Sequence, residues 1–420
     1  MKRFAIAIFL LNGIFASAAD NVFKTDSMKL SLAEAERIFA ERSLSLIAAK
    51  YNIDVAHSQV LDAKLWYNPQ LSYANDLYDP ETKKWFDNSI TGTYDVQLSQ
   101  LISFAGRHSN AVKLAKVNEK LTEFQFLELV RDLKFEVYNQ FNLIVADIKK
   151  QTLYENEIQQ LRKLLQGEQQ QVQLGVAAKN ELIRLTAEMQ DIQNSSVQNN
   201  AELNQAEKEL KTLLRIQFSV FVVAEETNSP INSAPPLEQI VSTAKENRPD
   251  LKISQMQIDY QTQNLSLQRS LAWPDLTFNY EHTFRGNYEN HYNGIGVSFP
   301  LPVFNRNQHI IHSTNTLLAQ AQVQDSLQQS TVENEVTAAY LNYINLSRQL
   351  NLVDKSYPQQ LGDLNRFAFE NYSKHLINLI DFLDQVRTYT QAELSLIELN
   401  RQYQNSIHTL NYVTASNVIK

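Results

Sequence analysis

The sequence predicts a mainly α-helical protein with a membrane β portion, built as two copies of one plan. Each copy supplies long coiled-coil helices and two β-strands, four strands per chain. Three observations lead there. The chain resembles itself at an offset of about 200 residues. A stretch from about Arg107 to Gln173 contains no proline and a single glycine, Gly167. Two pairs of segments alternate apolar with polar residues around polar turns.

The repeat is carried by aligned motifs. Asn68-Pro69-Gln70-Leu71-Ser72-Tyr73 answers to Trp273-Pro274-Asp275-Leu276-Thr277-Phe278. Phe104-Ala105-Gly106-Arg107 answers to Phe304-Asn305-Arg306 with one residue deleted. Glu136-Val137 with Phe141 answers to Glu335-Val336 with Tyr340, and Glu181-Leu182-Ile183 to Asp381-Phe382-Leu383. The expected organisation is a first repeat over 19–223, a polar linker over 224–236 with three prolines, and a second repeat over 237–420.

Residues 1–18 read as a secretory leader: Lys2 and Arg3, an apolar run from Phe4 to Phe15, then Ala16-Ser17-Ala18 as a small-x-small cleavage site. Within the first repeat, apolar residues from Ser31 to Tyr67 recur at helical steps. A hairpin follows over about 69–103, with Leu71, Tyr73 and Leu77 on one face and Tyr94, Val96 and Leu98 on the partner arm. The long helix of about 107–173 would measure about 100 Å at 1.5 Å per residue. A tip over about 173–180 returns the chain into a shorter helix to Leu214. The second repeat follows the same order: helix, hairpin over about 274–303 (Leu276, Phe278 and Tyr280, then Ile295, Val297, Phe299 and Leu301), long helix, tip over about 372–384, and short helix. Two helices of about 35 residues end to end match one long helix, as a coiled-coil wall requires.

Composition removes whole classes. At 43% apolar and 20% charged residues the chain is too apolar for disorder and too polar for a helical membrane protein. The absence of cysteine excludes a disulfide scaffold, a thiolate metal site, a cysteine nucleophile and lipid attachment at cysteine. A formal charge of −8 gives nothing to attract nucleic acid. No phosphate loop, nucleophile elbow or zinc-protease motif occurs, so no cofactor and no enzyme is expected. His309 and His312 lie three apart, but no acid or cysteine stands at a spacing that would complete a metal site, so no metal is expected there.

Four strands cannot close a channel-sized barrel, and open sheet edges cannot face lipid, where each unpaired backbone group costs several kcal/mol. Three chains supply twelve strands and close the sheet. Trp66 and Trp273 sit at equivalent helix–strand junctions, where an interfacial aromatic girdle belongs.

With the duplicated halves, hairpins and long helices in this order, the chain resembles the TolC-like outer-membrane efflux proteins over nearly all of its mature length. Arg248-Pro249-Asp250-Leu251 looks like an element early in the family's second half. Leu174-Gly175 with Asn180-Glu181-Leu182, and Ile380-Asp381-Phe382-Leu383-Asp384-Gln385, resemble its two helical tips. His375 departs from the pattern by standing where the family has a tip glycine, and the missing cysteine suggests a non-acylated member.

The resemblance implies a homotrimer in outer-membrane lipid whose twelve-stranded barrel continues into a tunnel of twelve periplasmic helices. It implies passive export served by an inner-membrane pump and a periplasmic adapter (membrane fusion) protein. On that reading Asp381 and Asp384, three residues apart on one helix face, would be repeated by threefold symmetry into a ring of six carboxylates at the periplasmic aperture. Glu181 is the matching acid of the first half, and Arg184 replaces its second aspartate. Gly175, Val176, Ala177 and Ala178, with His375 at the second tip, are the expected adapter contacts. The alternatives are a periplasmic coiled-coil scaffold or adapter, and a conduit for type I protein secretion.

Overall fold

The computed structural model describes residues 26–80, 83–89, 92–176, 178–217, 220–224, 234–284 and 291–419. The expected leader and most of the expected linker lie outside these residues. The first half runs β1 (Asp26–Leu30), α1 (Leu32–Arg42), α2 (Leu44–Ala63), β2 (Gln70–Asn75), β3 (Tyr78–Asp79), β4 (Lys84–Trp85), β5 (Tyr94–Ile102), α3 (Arg107–Gln173) and α4 (Lys179–Leu214). The second runs β6 (Val220–Ala224), α5 (Leu237–Asn247), α6 (Pro249–Ser270), β7 (Leu276–Phe284), β8 (Tyr292–Ser298), α7 (Gln308–Leu352), α8 (Tyr357–Ser373) and α9 (Leu379–Thr414). Among the described residues no helix is long and apolar enough to cross a membrane.

Two compact units cut across the two repeats. The first draws on residues 1–44, 134–231 and 345–408, the second on 45–133, 232–344 and 409–420. In the first, β1 and β6 pair in parallel, from Asp26 against Val220 to Leu30 against Ala224. Leu161, Leu165, Leu185, Ile192, Ala368, Phe382 and Val386 form the core among α3, α4, α8 and α9. Leu161, Leu185 and Phe382 are fully buried. Leu161 and Leu165 on α3, and Phe382 and Val386 on α9, are spaced by one helical turn, and Leu185 and Ile192 on α4 by two, which puts each pair on one side of its helix.

In the second unit the sheet order is β2-β5-β7-β8, every neighbour antiparallel. Leu71 faces Leu98, Leu98 faces Tyr280, and Tyr280 faces Ile295. β3 and β4 form a separate small hairpin, in which the Trp85 ring lies 5.2 Å from that of Tyr78.

Three helices differ from the sequence reading. The helix ahead of each hairpin is broken, at Ser43 and at Arg248, positions 205 residues apart like the aligned motifs. Ser43 has extended ψ and its N–H bonds back to Phe39 O. Arg248 precedes a proline, whose ring disfavours helical ψ at the preceding residue, and Pro249 then starts α6. The second long helix is broken as well. α7 stops at Leu352 and α8 restarts at Tyr357 with Pro358 in its first turn. Within the break the Asp354 carboxylate accepts from both the N–H and the hydroxyl of Ser356, each at 2.7 Å. Those bonds hold the Asp354 carboxyl below the usual range.

Candidate functional site

Two regions stand out: one face of the four-stranded sheet, and the two helical tips. Because side chains alternate along a strand, the register fixes which residues share a face. One face carries Leu71, Tyr73, Tyr94, Val96, Leu98, Phe278, Tyr280, Phe284, Ile295 and Val297, with the polar Asn75, Gln100, His282 and Asn293 among them. The other carries Gln70, Ser72, Asp95, Gln97, Ser99, Asn279, Glu281, Gly294, Gly296 and Ser298. The apolar face is uncovered: Ile295 is 92% exposed and Leu71 73%. Water penalises such a surface by roughly 25 cal/mol per Å² of apolar area, and a patch of this kind calls for a partner phase. Trp66 and Trp273 lie just before β2 and β7, both largely exposed. Trp66 stacks on His108 at 4.4 Å. Arg107, opening α3, pairs with Asp275, just before β7.

At the first tip α3 ends with Gly175 at φ 75°. Its N–H bonds to Val172 O at 3.1 Å, and the Val176 N–H bonds to Gln171 O at 2.9 Å. This crossed pair is the Schellman closure, which needs a left-handed residue at the glycine position. Leu174 and Val176 project into solvent. Ala178 caps α4 without a side-chain bond, and Ala177 lies outside the described residues.

The second tip makes the same turn without glycine. His375 takes φ 57°, its N–H bonding to Tyr372 O and the Leu376 N–H to Asn371 O. The family's glycine is therefore not required for this geometry. The start of α9 is then capped reciprocally: the Asp381 N–H donates to Asn378 Oδ1 at 3.0 Å, and Asn378 Nδ2 donates to Asp381 Oδ2 at 2.8 Å. Asp381 and Asp384 are both exposed, and Glu181 is half-buried.

The fold brings the tips together at a residue that sequence reasoning missed. Glu168 on α3 is 5% exposed. Burial raises its pKa first, the Glu181 charge raises it further, and His375 opposes them. A second omission is Glu188 on α4, buried, which accepts from Arg387 Nε of α9 at 2.8 Å. Both acids carry a legible signal, a charged residue inside an apolar helical stripe: Leu161, Leu165, Glu168 and Leu185, Glu188, Ile192. Arg184, in contrast, is exposed.

The Arg-Pro-Asp-Leu element is a structural rivet in the second unit. Arg248, 2% exposed, donates from Nη1 to Val413 O at 3.1 Å, and the same atom lies 2.7 Å from Glu335 Oε2. Its Nε donates to Asp250 Oδ1 at 2.9 Å. Burial alone would raise the Asp250 pKa, but Arg248 and Arg131 hold it below the usual range. His309 and His312 are exposed on the first turn of α7. Among the described residues no three His, Asp or Glu side chains gather as metal ligands.

The chain thus combines an antiparallel sheet that has one largely apolar face with helices of up to 67 residues, and known proteins share this combination. Residues 240–415 match the outer membrane efflux protein family. The cobalt-zinc-cadmium resistance protein CzcC of Cupriavidus metallidurans is 22% identical over 392 residues, covering 91% of this chain and 90% of that one. The fold is shared with a membrane protein from Pseudomonas aeruginosa (TM-score 0.75, 15% identity, 91% of this chain and 93% of that one). It is also shared with the Campylobacter jejuni CmeC outer membrane channel (TM-score 0.72, 16% identity, 92% and 86%). The chain is thus similar to the outer membrane efflux proteins, by sequence over residues 240–415 and by fold over nine-tenths of its length.

Proposed function

We propose that three copies of this chain form a passive export conduit across the outer membrane, continued into the periplasm by their helices. The observation that carries this reading is the four-stranded sheet with one bare apolar face and unpaired outer strands β2 and β8. Along β2-β5-β7-β8 the strand direction alternates. A neighbour's β2 beside β8 is therefore antiparallel again, and three chains close twelve strands without an edge. The apolar face then meets lipid, the Gln/Ser/Asn/Gly face lines water, and Trp66 and Trp273 lie at the interface. The leader directs export, and the chain does no covalent chemistry.

The tips are the gated end. Asp381 and Asp384 ring the aperture with Glu181 nearby. Gly175, Val176, Ala177, Ala178 and His375 meet a periplasmic adapter, and an inner-membrane pump supplies the energy. The name of the Cupriavidus relative points the cargo to divalent metal cations.

The test is the oligomeric state of the full chain extracted from outer membranes in mild detergent. Heat-modifiable trimers with a twelve-stranded barrel in electron cryomicroscopy are expected; a detergent-free soluble monomer overturns the conduit. For the tip assignment, Gly175→Trp should abolish metal export in a complementation assay while the trimer survives. Normal export by that variant refutes it.

A further inference from the structure

Buried at the centre of the first unit is an acid that no part of the conduit reading uses. Glu157 on α3 is 0% exposed. It sits in the apolar stripe of Tyr154, Leu161 and Leu165, facing α8. Its Oε1 accepts a hydrogen bond from Asn365 Nδ2 at 2.7 Å across 208 residues of sequence. Asn365 is itself 5% exposed. The other oxygen of each group, Glu157 Oε2 and Asn365 Oδ1, is buried without a hydrogen-bond partner among the described residues. Two orphaned acceptors on two side chains already joined by one bond constitute a specific deficit, and burying each of them uncompensated is costly. One proton on Glu157 Oε2, donated to Asn365 Oδ1, satisfies both at once and closes an acid–amide ring.

We propose that Glu157 and Asn365 form a proton-operated latch between α3 and α8, closed when Glu157 is protonated and opened when it ionises. The surroundings support the neutral form. From α9 the titratable group that senses the pair is Tyr389, whose pKa is raised by burial first and then by Glu157; Glu393, one turn further along, acts on Tyr389 in turn. α8 presents the neutral Asn365, and no cation contributes to the Glu157 balance. Desolvation, only partly offset by the Asn365 bond, pushes Glu157 up to about 7. Burial likewise raises Glu393, and the α9 cations Arg387 and Arg401 pair with Glu188 and Glu398 and not with Glu157.

The sign follows. The folded-state pKa lies above the ordinary carboxyl value, so the latch is intact in acid and is lost as pH rises toward and through about 7. α8 is the segment able to respond, because the break at residues 353–356 separates it from α7 and it leads directly into the second tip. The surrounding pH would thereby grade the mobility of α8. The latch belongs to the helical unit and stands apart from the conduit reading.

The experiment uses the full-length protein in detergent between pH 5.5 and 8.5, wild type beside Glu157→Gln. Infrared spectroscopy reads the carbonyl band of a protonated carboxyl, and hydrogen–deuterium exchange, corrected for the intrinsic rate, reads α8. The expected results are a protonated-carboxyl band at pH 6 that is absent in Glu157→Gln, and α8 exchange that accelerates by up to about tenfold per pH unit as pH rises from 5.5 toward about 7 and then levels off. In Glu157→Gln, whose amide reproduces both bonds of the closed ring, α8 exchange should be flat with pH. Wild-type α8 exchange that is flat, or that changes identically in Glu157→Gln, overturns the latch. Should Glu157→Gln fail to assemble, the wild-type band decides: its loss below pH 5.5 overturns the proposal, and its persistence to about pH 7 supports it.

Discussion

At the first tip the left-handed position is Gly175, at the second His375, yet both turns close with the same crossed pair of backbone bonds. The breaks ahead of the hairpins show a similar contrast. Ser43 is held by a backbone bond, while its counterpart Arg248 ties α6, α7 and the end of α9 into a charged network. The halves have kept their backbone geometry and exchanged the chemistry that secures it. Backbone hydrogen bonding and chain direction constrain a turn tightly, whereas many side-chain sets can satisfy it.

The largest effect separates the two breaks. Arg248→Ala leaves the Asp250 carboxylate and the Val413 carbonyl short of a buried donor, which should cost about 3–5 kcal/mol of stability. Ser43→Ala, at a buried but uncharged site, should cost about 1 kcal/mol or less. Denaturant unfolding of both variants measures the gap. Equal losses would mean that the network in the second half does no more than the lone serine. Arg248→Lys keeps the charge without the planar fork and should fall between them.

A second contrast joins two titratable groups of the first unit, the half-buried His408 and the buried Glu157. His408 stacks on Tyr138 at 4.2 Å, and burial, helped by Lys134, pushes its pKa down to about 4. The native state therefore binds fewer protons there than the unfolded chain. Stability is lost as pH falls from about 6.5 through about 4, by roughly 3 kcal/mol in all. Glu157 acts in the opposite direction, losing stability as pH rises. His408→Phe keeps the ring contact and should flatten only the acid limb of a melting-temperature profile. An unchanged acid limb would show that His408 does not titrate against folding.

Much of this was legible in the sequence, for physical reasons. Strand alternation is local, so the apolar face through Leu71, Tyr73, Val96, Leu98, Phe278 and Ile295 could be read residue by residue. The proline-free run with one glycine gave α3. What failed depended on partners distant in sequence, or on reading propensity without tertiary context. The β1–β6 pair joins segments 194 residues apart, too short to signal a strand alone. Pro358 marked the α7–α8 break, but an expected continuous long helix concealed it. Glu157, Glu168 and Glu188 stood in plain view inside apolar stripes, and only packing shows what each meets. Asp381 was legible as an exposed acid, whereas its bond to Asn378 required the cap geometry.

The tips offer a test in which the two halves should respond with opposite sign. Gly175→Ala places a Cβ at φ 75° with no atom within 4 Å to obstruct it, so the cost is conformational, about 1 kcal/mol. His375→Gly removes that same penalty but loosens the unfolded chain, giving a gain between about 0 and 1 kcal/mol. The thermal unfolding midpoint of the protein should move down for the first variant and hold or rise for the second. A fall for both would mean that His375 is kept for contacts beyond its backbone, its place beside Glu168 among them.

The smallest expected effect on stability falls at Asp381, where two roles coincide. Its carboxylate completes the cap with Asn378, and in the proposed trimer it contributes charge to the aperture. Asp381→Asn retains an oxygen able to accept from Asn378 Nδ2 but carries no charge. It should cost only a few tenths of a kcal/mol. Asp381→Ala removes the acceptor as well and should cost about 1 kcal/mol. If the ring exists, the two variants should lower cation selectivity alike in planar-bilayer conductance while differing in melting temperature. A selectivity loss that tracks the stability loss, large for alanine and absent for asparagine, would reduce Asp381 to a helix cap and leave the aperture charge to Asp384.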